Sequence, residues 1–313
     1  MEKLDEKGKN EQLHKARQNY LFRDRMIKAV TADGQFRVVI LKASDLIDTA
    51  RQKHTLNPLS TSILGELMMG SLLAAASLKG EERITLRIDV HGPVKYGVSE
   101  ATANGEVRGY LGNGHFLPEP GDPLLMKKKA MGTGTLQMIK VLYNESKPMT
   151  SIIEAVESSV VKDLTRYFAL SEQIPTAIKM DIQFNEDFSV KNAVALMVQT
   201  LPGAEEQDIL DLEINLIDTP NLTRLVEEGI YIDEILPRIL KNHQIKELSR
   251  TPVDFYCRCS KEKFLETLNI LSTEELLSLN EKNQELLCHY CNSKYIITQE
   301  EIITLLKNRE TKI

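Results

Sequence analysis

The sequence predicts an α+β fold: an antiparallel-sheet core domain with flanking helices, then a helical linker, then a small C-terminal module carrying four cysteines. Three observations predict it. Apolar and polar residues alternate over residues 82–90, where Leu86, Ile88 and Val90 face one way with Arg87 and Asp89 between them. Beyond Pro202-Gly203, acidic residues crowd a helically spaced apolar set. All four cysteines fall inside the 35 residues from Cys257 to Cys291.

With 313 residues, 42% of them hydrophobic and 27% charged, the chain can bury the cores of two or three domains and is neither disordered nor fibrous in composition. A net charge of -6, 5% aromatic residues and no Trp argue against a phosphate-backbone binder or a stacking platform for single strands. Residues 1–19 are polar, lack the apolar run of a secretory signal and read as an extension. The longest apolar stretch, residues 63–78, contains Glu66 and is shorter than the roughly 20 residues a bilayer span needs, so it reads as a buried amphipathic helix. The chain is therefore expected to be soluble and cytoplasmic, with no membrane and no nucleic-acid partner.

The elements follow in order. Residues 25–31 and 35–41 read as two strands about a turn at Asp33-Gly34. Ser44 or a neighbour can cap a helix running to about His54, and after Asn57-Pro58 residues 60–78 are strongly helical up to a break at Gly80. The alternating strand comes next. Gly92-Pro93 turns the chain into residues 94–101, and Asn104-Gly105 is a hairpin signal leading into residues 107–111. Gly132-Thr133-Gly134 has part of a phosphate loop's composition but neither its Lys nor its spacing, and reads as a strand-edge turn. Lys127, Lys128 and Lys129 read as a solvated loop. There is no G-x-S-x-G and no H-E-x-x-H, and the six histidines are scattered, so no catalytic constellation emerges and a binding protein is expected rather than an enzyme.

Residues 204–236 hold ten acidic residues and one basic residue, Arg224. From there on apolar residues recur at helical spacing: Ile209, Leu212 and Leu216, then Leu222, Leu225 and Val226, then Ile235, Ile239 and Leu240. Such self-repelling helices, cut by Pro220, Gly229 and Pro237, should dock on something and be only marginally stable. The expected organisation is an extension (1–19), a core domain (20–203), an acidic helical linker (204–250) and a metal-binding module (251–313). Within the module, Ser260 can cap one helix, and Ser272-Thr273-Glu274-Glu275 is a capping box opening the next.

Cys257-Arg258-Cys259 and Cys288-His289-Tyr290-Cys291 are two close pairs separated by 28 residues. Chance would produce such pairing on the order of once in a thousand sequences. Brought together, the four offer soft thiolates to one tetrahedral metal, for which zinc is the natural occupant and iron an alternative. His289 reads as a non-ligand, because four thiolates already close a structural site. A thioredoxin-like use of Cys288 and Cys291 would need a strand-to-helix setting, whereas residues 284–287 and 292–298 are strand-like on both sides.

These residues carry a family resemblance. The runs Val253-Asp254-Phe255-Tyr256-Cys257-Arg258-Cys259-Ser260 and Cys288-His289-Tyr290-Cys291, with Tyr295, resemble the redox-switch domain of heat-shock protein 33, the redox-regulated holdase chaperone. Gly92-Pro93, Gly105-Glu106-Val107-Arg108-Gly109-Tyr110 and Tyr167-Phe168-Ala169-Leu170-Ser171-Glu172-Gln173-Ile174-Pro175-Thr176 resemble its core domain, so the likeness covers roughly residues 21–305. Besides the extra N-terminal extension, two places depart from the family's pattern. Ala193-Val194-Ala195 stands where a Gly-Gly pair is usual, and Pro148-Met149-Thr150-Ser151 replaces a Pro-Tyr-x-Gly segment.

The resemblance implies an ATP-independent holdase for unfolding client proteins, inactive while reduced and bound to one zinc ion, and dimeric when active. Cys257, Cys259, Cys288 and Cys291 would be both zinc ligands and redox sensors. Oxidation would join Cys257 to Cys259 and Cys288 to Cys291, expel zinc, unfold the module and loosen the linker. The competing reading is a thiol-disulfide oxidoreductase using Cys288 and Cys291. A zinc-ribbon nucleic-acid binder is disfavoured, since residues 246–313 hold ten basic and eleven acidic residues and so present no basic face.

Overall fold

A computed structural model describes residues 23–117, 120–143 and 145–310, and the extension expected over residues 1–19 lies outside them. Two compact units part between Phe255 and Tyr256. The first runs β1 (Arg25–Thr31), β2 (Phe36–Lys42), α1 (Ser44–His54), α2 (Pro58–Ala75), β3 (Arg83–Val90), β4 (Tyr96–Thr102) and β5 (Glu106–Leu111). It continues through α3 (Pro123–Met131), β6 (Gly134–Val141), β7 (Met149–Ala155), α4 (Val160–Tyr167), a π-helical turn (Phe168–Glu172), β8 (Thr176–Phe184) and β9 (Val190–Thr200). It closes with α5 (Glu206–Asp218), α6 (Leu222–Glu227), α7 (Ile232–Ile239), β10 (Ile245–Pro252) and β11 (Asp254–Phe255).

The strands form two sheets. One is five-stranded, in the order β10-β1-β2-β9-β8, and the other six-stranded, β11-β5-β4-β3-β6-β7. Pairing is antiparallel except where β11 adds parallel to β5. The mixed α+β architecture with antiparallel sheets is the one the alternation and hairpin signals predict. Gly105 shows why that hairpin needs glycine: its φ is +88°, and a Cβ there would stand 2.1 Å from the Pro252 carbonyl oxygen.

Helix α2 lies between the sheets. Asn57 caps it by accepting from the Ser60 amide at 2.8 Å, and Pro58 occupies the first turn, where its missing N–H costs nothing. Fifteen of its 18 residues are buried, Glu66 among them, so the helix expected to be buried and amphipathic is instead covered nearly all round. It is long and apolar enough to cross a bilayer, yet it serves as the core helix. Gly65 and Gly70 let the neighbours close in, since a Cβ on Gly65 would meet Ile182 at 2.7 Å and one on Gly70 would meet Leu164 at 2.9 Å.

Two local expectations need correction. The side chain of Ser44 does not cap α1. Asp24 does, accepting from the Ser44 and Leu46 amides at 2.9 Å each, while Ser44 Oγ accepts from the Ala193 amide. A remote carboxylate won because the buried helix end also faces Lys42, 3.1 Å from Asp24. The lysines at 127–129 lie in helix α3 rather than in a solvated loop: Asp122 caps it, Pro123 opens it, and Lys127 ion-pairs with Glu66 of α2.

The acidic helices dock on the outer face of the five-stranded sheet. Leu212, Leu222, Leu225, Ile235 and Ile239 pack with Ile27, Phe36, Val38, Ile40, Leu196 and Val198 in a second apolar cluster. Two neighbours on β8 serve the helix ends. Lys179 Nζ donates to the Thr219 and Leu216 carbonyls at 2.6 and 3.3 Å, and Asp181 accepts from the Leu222 amide at 2.7 Å. A cation thus meets the C-terminal end of α5 and an anion the start of α6, each matching the sign of the helix dipole. The acidic segment is not helical to residue 250, because Ile245–Pro252 forms edge strand β10 along β1.

In the second unit, α8 (Lys261–Leu268), α9 (Thr273–Leu279), the hairpin β12 (Gln284–Leu287) and β13 (Lys294–Ile297), and α10 (Gln299–Glu310) surround the cysteines. Ser260 caps α8, and Ser272 with Glu275 forms the capping box of α9.

Candidate metal centre

Each half of the cysteine set is positioned by its own local device. Cys257 and Cys259 sit on an extended stretch ended by the Ser260 cap, and the Lys263 ammonium donates to the Arg258 carbonyl at 2.7 Å. Cys288 and Cys291 occupy the turn joining β12 to β13. There the Cys288 amide donates to the Ser293 carbonyl at 2.9 Å, and the Asn292 amide to the Cys288 carbonyl at 2.8 Å. Asn292 takes the left-handed conformation the turn requires, with φ at 57°, which Asn tolerates better than most residues.

The fold brings all four sulfurs within 4.8 Å of one another. Cys257 Sγ lies 3.7 Å from Cys288 Sγ, and Cys259 Sγ 3.3 Å from Cys291 Sγ. Four sulfurs bound at ~2.3 Å to one tetrahedral ion stand about 3.8 Å apart, so the set is close to the size of a closed four-thiolate site. The donors are all soft sulfur, which suits zinc and disfavours hard cations. His289 is exposed and lies outside the sulfur cluster.

Two hydroxyls line the sulfurs. Tyr295 Oη lies 3.2 Å from Cys259 Sγ and donates to the Cys259 carbonyl at 3.2 Å, and its ring packs against Phe264 at 5.2 Å between centroids. Ser293 Oγ lies 3.2 Å from Cys291 Sγ. Burial pushes the Cys288 thiol up to about 12 and raises that of Cys259. Burial also opposes ionisation of Cys291, but the Ser293 hydroxyl and amide outweigh it and bring that thiol down to about 7. The Ser293 donors thus favour the Cys291 thiolate, and a bound cation would offset the burial that opposes ionisation of Cys259 and Cys288. Ser293 could have been suspected from its place two residues after Cys291. Tyr295 stands among the residues that carry the family resemblance, but its contact with Cys259 depends on strand pairing and could not be read locally.

Among the described residues of this unit, five are buried: Leu276, Cys288, Cys291, Ile297 and Ile302. Two of the five are cysteines, so the sulfur cluster is a large part of what this unit has for an interior.

Comparison with known proteins agrees with this geometry. A family profile described as Hsp33 protein matches residues 24–298. The chain is 34% identical over 294 residues to the 33 kDa chaperonin of Shouchella clausii (strain KSM-K16), covering 93% of this chain and 99% of the relative. It is 33% identical over 295 residues to the 33 kDa chaperonin of Geobacillus sp. (strain WCH70), with 92% and 99% covered. Among solved structures it resembles the crystal structure of the 33 kDa chaperonin (heat shock protein 33 homolog) from Thermotoga maritima, with a TM-score of 0.84, 28% identity, and 92% and 99% of the two chains covered.

Proposed function

The chain belongs to the Hsp33 family, and on that premise we propose that it is an ATP-independent holdase chaperone whose activity is switched by the oxidation state of its four cysteines. It binds unfolding proteins rather than transforming a substrate, acts in the cytoplasm, and dimerises when oxidised. One observation carries the redox part of the reading: four sulfurs from two stretches 28 residues apart converge in a unit that buries few other side chains.

Zinc fits the four-sulfur set, and when bound it would tie the Cys257-Cys259 stretch to the Cys288-Cys291 turn as a structural crosslink. The four cysteines would hold it, with Ser293 and Tyr295 orienting Cys291 and Cys259. Structural zinc contributes roughly 10–16 kcal/mol of apparent binding free energy at neutral pH. Oxidation joins Cys257 to Cys259 and Cys288 to Cys291. Each new S–S bond takes two electrons from two cysteine sulfurs, and one hydrogen peroxide accepts them with two protons, its O–O bond breaking to leave two waters. Loops this short contribute only about 1.5–2 kcal/mol per disulfide, and neither links the two halves. The second unit therefore unfolds. We propose that the acidic helices then leave the five-stranded sheet, uncovering the apolar face made by Phe36, Val38, Ile40 and Leu196 for clients.

The test is light scattering from a chemically unfolded client diluted into buffer with the chain either reduced and zinc-loaded or oxidised by hydrogen peroxide. Suppression by the oxidised form alone supports the reading. Equal suppression by both forms makes the metal purely structural. Failure of both, in a sample that has released its zinc, removes the holdase and favours an oxidoreductase using Cys288 and Cys291, which would then turn over insulin disulfides with a reductant.

A further inference from the structure

A cavity of about 390 Å³ lies between the two sheets of the first unit, at the C-terminal end of α2. Its floor is apolar, made by Val39, Leu73, Ile84, Met138 and Met197. Its rim is cationic. Strand alternation and register place Lys28 beside Val39, Val39 beside Met197, and Arg37 beside Gln199 on the sheet face turned toward α2. Farther along that face Met26 and Leu41 are core residues, so one surface passes from apolar to charged at this end. From the opposite sheet, Lys140 reaches the same space next to Ile84, its register partner.

Three cations there face one carboxylate. Glu172 takes Lys140 at 2.5 Å and accepts from the Tyr167 hydroxyl at 2.9 Å. Arg37 gives two of its five donors to a neutral acceptor, Gln199 Oε1, at 3.1 and 2.5 Å. Lys28 has no hydrogen-bond or ion-pair partner among the described residues, and burial lowers its pKa with no opposing charge. A half-buried ammonium without a partner is a cost to the fold that an anion would remove.

The backbone is irregular on two sides of this space. The run from Tyr167 to Thr176, which the holdase reading leaves without a role, forms the π-helical turn that supplies Phe168 and Glu172. On β10 the pairing slips between Lys28 and Ala29, and Leu248 enters the cavity wall at that bulge. Such π turns and bulges are over-represented at functional sites.

We propose that this cavity binds an anionic amphiphile, a medium-chain fatty acid whose carboxylate pairs with Lys28 and Arg37 and whose chain lies along Ile174 and Leu248 at the mouth, above the buried Val39 and Met197. At the ~30 Å³ a water-sized group occupies, the space takes about a dozen non-hydrogen atoms, the size of decanoate. The site needs neither the cysteines nor the metal.

Titration calorimetry of the reduced full chain with decanoate below its micellar concentration tests this, with decan-1-ol and acetate as probes of the tail and the head alone. The expected result is saturable one-to-one binding of decanoate, at least tenfold weaker binding of the other two, and a loss of at least tenfold in Lys28→Met and in Arg37→Met. Because Lys28 has no partner to lose, Lys28→Met should melt no lower than the parent chain, which separates lost binding from lost folding. No saturable binding of decanoate, binding at several equivalent sites, equal binding of decan-1-ol, or undiminished binding by folded Lys28→Met would each overturn the assignment.

Discussion

Chelating the metal from the reduced chain should melt residues 256–310 and leave residues 23–255 folded. Three aliphatic side chains are buried in the second unit, Leu276, Ile297 and Ile302. At about 1.5–3 kcal/mol each they contribute roughly 5–9 kcal/mol. A zinc ion held by the four thiolates would contribute ~10–16 kcal/mol, the larger share of what would hold the unit together. The first unit has two apolar clusters and no cysteine, so it owes nothing to the metal. Hydrogen exchange followed by mass spectrometry, before and after chelation under reducing conditions, reads the two units separately. The amides of β12, β13 and α10 should lose protection while those of α2, β2 and β9 keep it. Hydrogen peroxide should give the same pattern, since two short disulfides return only about 3–4 kcal/mol together. Retained protection across residues 284–297 after the metal has left would refute the reasoning, because it would mean the small aliphatic core suffices.

Ser293→Ala and Tyr295→Phe should each weaken zinc binding by about 10–100-fold in competition with a chromophoric chelator, because each removes a hydroxyl beside a ligand sulfur. Asp181→Ala strips the start of α6 of its acceptor and leaves Lys179 without its neighbouring charge, so it should loosen the helices by about 0.5–2 kcal/mol, seen as faster glutamate-directed cleavage of residues 205–234 in the reduced chain. Asp24→Ala leaves the buried Lys42 ammonium unpaired and α1 uncapped, and should cost about 3–5 kcal/mol in denaturant unfolding. The Thr31 hydroxyl, the His243 ring and the Gln35 amide hold the Asp33 carboxyl well below the ordinary range. A carboxyl lowered in the folded state contributes stability that is full above its unfolded pKa of about 3.9 and is lost as the pH falls through its folded value. Acid should therefore release the His243 contact, and Asp33→Asn should flatten the dependence of exchange at residues 240–245 below pH 4.

Much of the candidate site was legible because it is built from short-range chemistry. Two cysteine pairs, a serine cap and a capping box are each complete within a few residues, and they act the same way wherever the module sits. The strand at 83–90 was legible because alternation is a local record of which face is buried, and the pair at 25–31 and 36–42 because a turn at Asp33-Gly34 separates two strand-like runs. Where the reading went astray, the deciding partner was distant. Ser44 lost its capping role to Asp24, and Lys127 was drawn out of solvent by Glu66, 61 residues away. β10 was hidden because an exposed edge strand carries charges in place of an alternating apolar face.

The sequence by itself determined the fold class, the cysteine set and the apolar faces of the acidic helices, because spacing and side-chain type settle those without reference to the rest of the chain. Only the tertiary structure decided that these helices lie on the sheet, that β10 joins β1 at a bulge, and that Lys28, Arg37 and Lys140 meet over one apolar floor. Those outcomes depend on register between strands far apart in the chain, and register is set by the packing of the whole core rather than by any window of it.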